Sequence, residues 1–394
     1  MTLSKHAIRP NFLPFSPPYI TEAEIEAVVA TLRTDWITTG PQVRDFENDF
    51  IASLDAPENL TALALNSCTA GLHVALATLN IGPGDEVITS PMTFCSSVNV
   101  IEHVGATPVL ADVEPDTLTL DPQRVAEAIT PRTKAIIPVH YAGHPADMRP
   151  IMDLAREHGL YIIEDAAHSL PASYEGQRIG TIGDFTSFSF YATKNLTTGE
   201  GGMLTGSPEH IARARVLSLH GMSRDAWKRY SAEGSWFYEV IEPGFKYNMP
   251  DIQAAIGRVQ LGRLNEMQSR RYEVVEQYHA AFADVPALQI PVERPNVEAA
   301  WHLYVLRLHP EHLSINRGQF IEELRARNIG TSVHFIPVHL HPYYRDKYGW
   351  KPDDFPVTFD AYQRILSLPL HPRLSDDDIA DVTAAVLDIV AQFS

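Results

Sequence analysis

The chain has 394 residues, 45% of them hydrophobic and 20% charged, with a formal net charge of −18. That length predicts two domains, and so acidic a chain is a poor ligand for nucleic acid or an anionic membrane, whose phosphates call for clustered Lys and Arg. A local basic pocket for a small anion is still compatible with it. The two cysteines, Cys68 and Cys95, are too few for a disulfide framework or a four-cysteine zinc site and fit a reducing compartment. No metal site is expected. The N-terminus lacks the apolar segment of a signal peptide, and no run approaches the ~18 apolar residues of a membrane span. The expectation is a soluble, cytoplasmic protein.

The proline-rich first 20 residues read as an extended arm. Thr21 with Glu24 then has the pattern of a capping box that opens a helix. From residue 61 strands and helices alternate. LTALALN, EVITS, TPVLADV, KAIIPVH and LYIIEDA read as strands; TAGLHVALATLN, SSVNVIEHVG, DPQRVAEAI and MRPIMDLAREHG read as helices between them. In DPQRVAEAI, Asp121 is the expected cap and Pro122 the first helical residue. This alternation predicts βαβ units around a mostly parallel sheet, and the continuously apolar strands predict that both its faces are covered. FTSFSF and GGMLTG follow as strands and IARARVLSLHG as a helix, and residues 222–248 read as irregular. One long helix is expected over residues 252–282, a strand at WHLYVLRL, a helix over residues 317–330 ended by Gly330, and an amphipathic helix at the end. The fold class is therefore α/β, with an N-terminal arm and large domain over residues 1–255 and a smaller α+β domain over 256–394.

Three stretches carry candidate chemistry. In IIEDAAHS, Asp165 stands where an apolar strand ends, the place at which open α/β sheets bind ligands. A carboxylate there can keep a pyridinium nitrogen protonated; equally, it can cap the next helix. In SFSFYATKN an aromatic strand delivers Ser189 and then Lys194 into a loop before Gly199, Gly201 and Gly202. A lysine that attacks a carbonyl must be partly neutral, which aromatic surroundings favour, although a single loop lysine is usually solvated. In NSCTAGLHVAL a strand runs into a helix with Ser67 and Thr69 hydroxyls and the amides of Thr69 and Ala70, a geometry that binds phosphate or merely caps a helix. A fourth stretch, GFKYNMPDIQAAI, reads only as a turn and a helix start. Phosphate loop, strand-end acid and lysine occur in that order along the chain, and together they converge on one type of reaction.

These motifs — EDAAHS, SFSFYATKN followed by EGG, PVHYAG and GFKYNMPDIQAA — resemble those of the DegT/StrS-type nucleotide-sugar aminotransferases, from WITTGPQVRDFE near residue 36 to SLPLHP near residue 367. Within that family TAGLH, GDEVITSPMTF, ITPRTKAIIPVHYAG and KYNMPDI are most similar to the C-4 aminotransferases that make UDP-4-amino-4-deoxy-L-arabinose. The resemblance implies the aspartate-aminotransferase-like fold (fold type I) and pyridoxal 5'-phosphate bound covalently at Lys194, with Lys194 moving the proton and Asp165 pairing with the pyridine nitrogen. It implies further that His168 lies against the cofactor ring, Phe94 stacks on it, and Thr69, Ala70 and Ser189 hold its phosphate. Asn248, where many relatives carry arginine, would reach the phosphate of a neighbouring subunit, making the functional unit a homodimer with shared sites. His334 and Tyr191 are candidates near the substrate, and the stretch around Trp227, Lys228, Arg229 and Tyr230 is a candidate lining of the sugar-nucleotide cleft. The implied reaction moves an amino group from L-glutamate to a nucleotide-linked 4-keto sugar. Some relatives carry histidine in place of the lysine and act as dehydratases, which Lys194 argues against here; C-3 chemistry and a non-catalytic cofactor-binding regulator are the other readings.

Overall fold

In the computed structural model, which describes residues 9–223 and 237–394, the strands are β1 (Thr61–Leu65), β2 (Glu86–Thr89), β3 (Thr107–Leu110), β4 (Thr133–Ile137), β5 (Tyr161–Asp165), β6 (Ser173–Tyr174), β7 (Gln177–Arg178), β8 (Phe185–Ser189), β9 (Gly202–Gly206), β10 (Leu288–Gln289), β11 (Val297–Glu298), β12 (Tyr304–Leu308) and β13 (Ile365–Leu368). The helices are α1 (Glu22–Leu32), α2 (Pro41–Ser53), α3 (Cys68–Thr78), α4 (Ser96–His103), α5 (Pro122–Ala128), α6 (Met148–His158), α7 (Pro208–Leu217), α8 (Asp251–Gly262), α9 (Leu264–Phe282), α10 (Arg317–Ala326), α11 (Pro342–Tyr348), α12 (Pro356–Arg364) and α13 (Asp376–Phe393).

Seven strands form the main sheet in the order β1-β9-β8-β5-β4-β2-β3. The pairs from β8 to β3 are parallel, whereas β9 runs antiparallel to both β8 and β1. Successive side chains on a strand point to opposite faces. Accordingly Ile136 and Ile162 join one buried cluster while their neighbours Ile137 and Ile163 join another, so the sheet is covered on both sides. A second, antiparallel sheet, β10-β12-β13, lies in the C-terminal part, where α13 packs on α9 and α10. Among the described residues no helix is long and apolar enough to cross a membrane.

Several local expectations hold. Glu24 accepts from both the backbone and the hydroxyl of Thr21, Asp121 caps α5 by accepting from Gln123 N at 2.8 Å, and Gly159 ends α6 in the left-handed region. Others need correction. The helix expected over residues 252–282 is two helices, parted at Arg263, whose guanidinium reaches buried Glu24 at 2.8 Å and lies over the Tyr19 ring. Contacts with the N-terminal arm, far away in sequence, hold that residue where the helix breaks. Nor does Gly330 end α10. The helix stops at Ala326, Asn328 takes the left-handed turn with φ 61°, and Gly330 instead lets the arm approach, since a Cβ there would stand 2.9 Å from Leu13 O. The expected division near residue 255 falls inside α8.

Asp251 is the long-range clasp. It is buried, and it accepts from the amides of Gly40 at 2.8 Å, Gln42 at 3.1 Å and Val43 at 3.0 Å, at the start of α2. Thr39 completes the join by donating its hydroxyl to Met249 O at 2.6 Å. Helix amides at an N-terminus have no partner within the helix and attract a carboxylate. Asp251→Ala strands three donors in the interior and should destabilise the protein by about 3 kcal/mol, read from chemical denaturation. A loss below about 0.5 kcal/mol would show that the clasp is dispensable.

Candidate active site

The carboxyl ends of β5 and β8 meet the β1–α3 junction around a cavity of about 460 Å³. Asp165, the last residue of β5, lies at its base, and the chain leaving β8 passes Ser189 and Tyr191 before presenting Lys194. That excursion is a hairpin: Phe190 N donates to Gly201 O at 2.9 Å and Thr198 N to Phe190 O at 2.9 Å, after which β9 returns along β8. Gly199 supplies the left-handed turn with φ 81°. At Gly202 a Cβ would stand 2.5 Å from the Ser67 carbonyl carbon, so glycine lets β9 pack directly against the cap of α3. Sequence spacing left open whether these glycines serve a ligand or a turn; the geometry at Gly199 and Gly202 is that of turn and packing.

Asp165 is 4% exposed and is not a simple helix cap. Its Oδ1 accepts from Ala167 N at 3.1 Å and faces Cys68 Sγ at 3.9 Å, and its Oδ2 accepts from Ser97 Oγ at 2.7 Å. Donors from three segments orient the carboxylate toward the cavity. Lys194 is partly buried, and its Nζ has no hydrogen-bond partner among the described residues. Desolvation dominates its titration and lowers its pKa to about 8, against the opposing pull of Cys68 and Asp165, which raise it. An appreciable fraction of the amine is therefore neutral near physiological pH, as a nucleophile or proton acceptor needs.

His168 packs its ring on Phe335 with centroids 5.7 Å apart and accepts from Ala142 N at its Nδ1, 3.3 Å away. The accepting Nδ1 leaves the proton on Nε2. Burial, aided by the charges of Lys194 and His334, holds its pKa well below the usual value, so the ring is neutral. Phe94 is 59% exposed at the cavity mouth, beside Phe335. His334 also lines the cavity, its Nδ1 2.9 Å from Ser367 Oγ and its ring stacked on Phe15. Burial lowers its pKa to about 4.

The structure thus gathers Thr69, Phe94, Asp165 and His168 with Ser189, Tyr191, Lys194 and His334. Two expected residues stand apart. Ala70 is not part of the cavity lining, and its amide donates to Ser67 Oγ at 3.1 Å as the cap of α3. Asn248 does not line its own chain's cavity; it sits beside Leu65, donates to Thr39 Oγ1 at 2.7 Å and accepts from Lys246 Nζ. Trp227, Lys228, Arg229 and Tyr230 lie outside the described residues. Sequence reasoning missed Cys68, Ser97, His302 and Phe335, which come from four separate segments. Cys68 carried a signal, lying within the loop singled out for phosphate, and Phe335 adjoins the candidate His334.

The model of the DegT/DnrJ/EryC1/StrS aminotransferase family matches residues 18–387. The spore coat polysaccharide biosynthesis protein SpsC of Bacillus subtilis is 53% identical over 384 residues, which cover 97% of this chain and 98% of that protein. "Uncharacterized protein MJ1066" of Methanocaldococcus jannaschii is 54% identical over 386 residues, 98% of this chain and 99% of that one. Among solved structures, "Putative sugar aminotransferase Spr1654 from Streptococcus pneumoniae, PMP-form" has a TM-score of 0.90 at 37% identity and covers 96% of this chain and 99% of its own.

Amine labelling of Lys194 in cofactor-free protein should be half-maximal near pH 8, because the neutral amine is the reactive form and burial depresses its pKa to about 8. Asp165→Asn removes a charge that opposes this depression, so the midpoint should fall further. A wild-type midpoint near the ordinary lysine value of about 10.4 would contradict the desolvated site.

Proposed function

The chain belongs to the DegT/DnrJ/EryC1/StrS aminotransferase family, and from that premise we propose that it moves an amino group from L-glutamate to carbon 4 of a nucleotide-linked keto sugar. At the coarser level it is a pyridoxal-phosphate-dependent sugar aminotransferase of fold type I. The observation that supports transamination chemistry at this site is the meeting, in one cavity, of a desolvated lysine and a buried carboxylate already oriented by three donors.

The residues fit the cofactor. Lys194 Nζ and the Thr69 hydroxyl have no hydrogen-bond partner among the described residues, and both face the cavity. We assign covalent attachment to Lys194, the ring nitrogen to Asp165, the ring surroundings to His168 and Phe94, and the phosphate to Thr69 at the start of α3 and Ser189 at the end of β8. Bound there, pyridoxal phosphate supplies an electron sink for negative charge on the carbon that bears the amino group. Asp165 strengthens that sink by holding a proton on the ring nitrogen. With the cofactor bound, Lys194 would be the group that carries the proton, base and then acid, which suits a pKa of about 8. One cavity receives donor and acceptor in turn, so the kinetics should be ping-pong. His334 and Tyr191, 47% exposed, stand at the cavity where substrate enters.

Support for carbon 4 is the likeness of TAGLH and KYNMPDI to the C-4 enzymes, and support for a polysaccharide setting is the likeness to the spore coat polysaccharide biosynthesis protein SpsC. We further propose a cytoplasmic homodimer in which Asn248, outside its own cavity, serves the site of the second subunit. A panel of UDP-, dTDP- and GDP-linked keto sugars with glutamate, read by 2-oxoglutarate release and by the position of the new amine, tests substrate and regiochemistry together. Lys194→Ala should retain the cofactor non-covalently and lose turnover by at least about a thousandfold. Full activity in that variant would overturn the mechanism.

A further inference from the structure

His302 is buried and lines the cavity, yet it lies in WHLYVLRL, which the sequence marks only as a strand. Asn195, the residue after Lys194, donates its Nδ2 to Ala300 O at 2.7 Å, and this orients the amide so that Oδ1 faces His302 Nδ1 at 3.1 Å. An amide oxygen only accepts, so His302 carries its proton on Nδ1, leaving Nε2 as a lone pair. Behind the ring, buried Arg271 donates to Trp301 O at 3.2 Å and Leu370 O at 2.9 Å, clamping the segment that carries His302. In front, the His302 ring lies 4.5 Å from that of His168, which Phe335 also stacks against.

We propose that His302 is a positioning residue: its hydrogen bond to Asn195 couples the loop bearing Lys194 to the ring of His168, fixing the lysine amine relative to the histidine Nε2–H around the bound cofactor. The inference rests on the cofactor reading of the site. It explains why a buried imidazole sits among so many cationic or potentially cationic groups. Burial, with cationic neighbours such as Lys194 and Arg271, drives its pKa well below the usual value, so it acts as a neutral strut. Lys194 in turn faces Cys68 and Asp165 from α3 and β5, and the balance among these groups depends on where the loop is held.

The test is a pH titration of the visible absorbance of the holoenzyme, with thermal melts to establish folding. His302→Phe keeps a ring against His168 but cannot donate to Asn195; it should move the titration midpoint by at least about half a pH unit. His302→Asn restores a donor near Nδ1 and should keep the midpoint within about 0.2 units of wild type. Asn195→Ala removes the acceptor from the other side and should reproduce the shift of His302→Phe, so the proposal stays testable if His302→Phe does not fold. An unmoved midpoint in Asn195→Ala, or equal shifts in the two His302 variants, overturns it. A wild-type protein without an absorbance band fails the cofactor reading instead, and this inference with it.

Discussion

A carboxylate held in the interior must be given donors or it will take up a proton, and the position of Asp165 is governed by that constraint. Its donors come from the turn after β5, from the first helix turn after Phe94 and from the start of α3. Those three segments can meet only where parallel strands end side by side, so the βαβ architecture is a precondition for the acid and not simply a support. The same convergence sets aside room for a ligand: with Ser97 and Ala167 facing the carboxylate, the remaining directions open into the cavity. Beneath Asp165 the strand ends are tied by the buried pair of His140 and Glu164, where Glu164 accepts from Gly183 N and Thr186 Oγ1 as well. A fully satisfied polar pair of this kind registers strands more than it stabilises them.

Around the acid the site is neutral wherever it can be. His168, His302 and His334 are all pushed toward the uncharged form by burial, leaving Asp165 and Lys194 as the groups whose charge matters. Neutral imidazoles supply directional donors and acceptors without repelling a cationic amine. They also leave the lysine free to titrate in the range where proton transfer in both directions is easy.

Much of this was legible in the chain. Continuous apolar runs such as AIIPV and YII marked a sheet covered on both sides, Asp121 and Pro122 marked a helix start, and the order of phosphate loop, acid and lysine marked the reaction type. Each of those signals is local. What escaped was tertiary. Ser97 and His302 gain meaning only when the fold brings them to Asp165 and Asn195, and nothing at their own positions marks them. Asp251 looked like a helix start because it is one, yet its carboxylate serves a different helix, more than two hundred residues away in sequence. Gly330 was misread because glycine after a helical pattern has two uses, and here Asn328 had already made the turn. The break at Arg263 has the same origin: periodicity ran through it, and a contact with the N-terminal arm decided the matter.

The reversal of β9 has a further consequence. Because β9 is the one strand of the main sheet that runs against its neighbours, the link from β8 is a hairpin whose two ends are both pinned to the sheet at the cavity. The backbone bonds that close the hairpin run between Phe190, Thr198 and Gly201, and none of them involves the side chain at position 194. Identity at that position is therefore decoupled from assembly of the scaffold. A substitution at position 194 removes the reacting group while leaving every backbone bond that closes the hairpin in place.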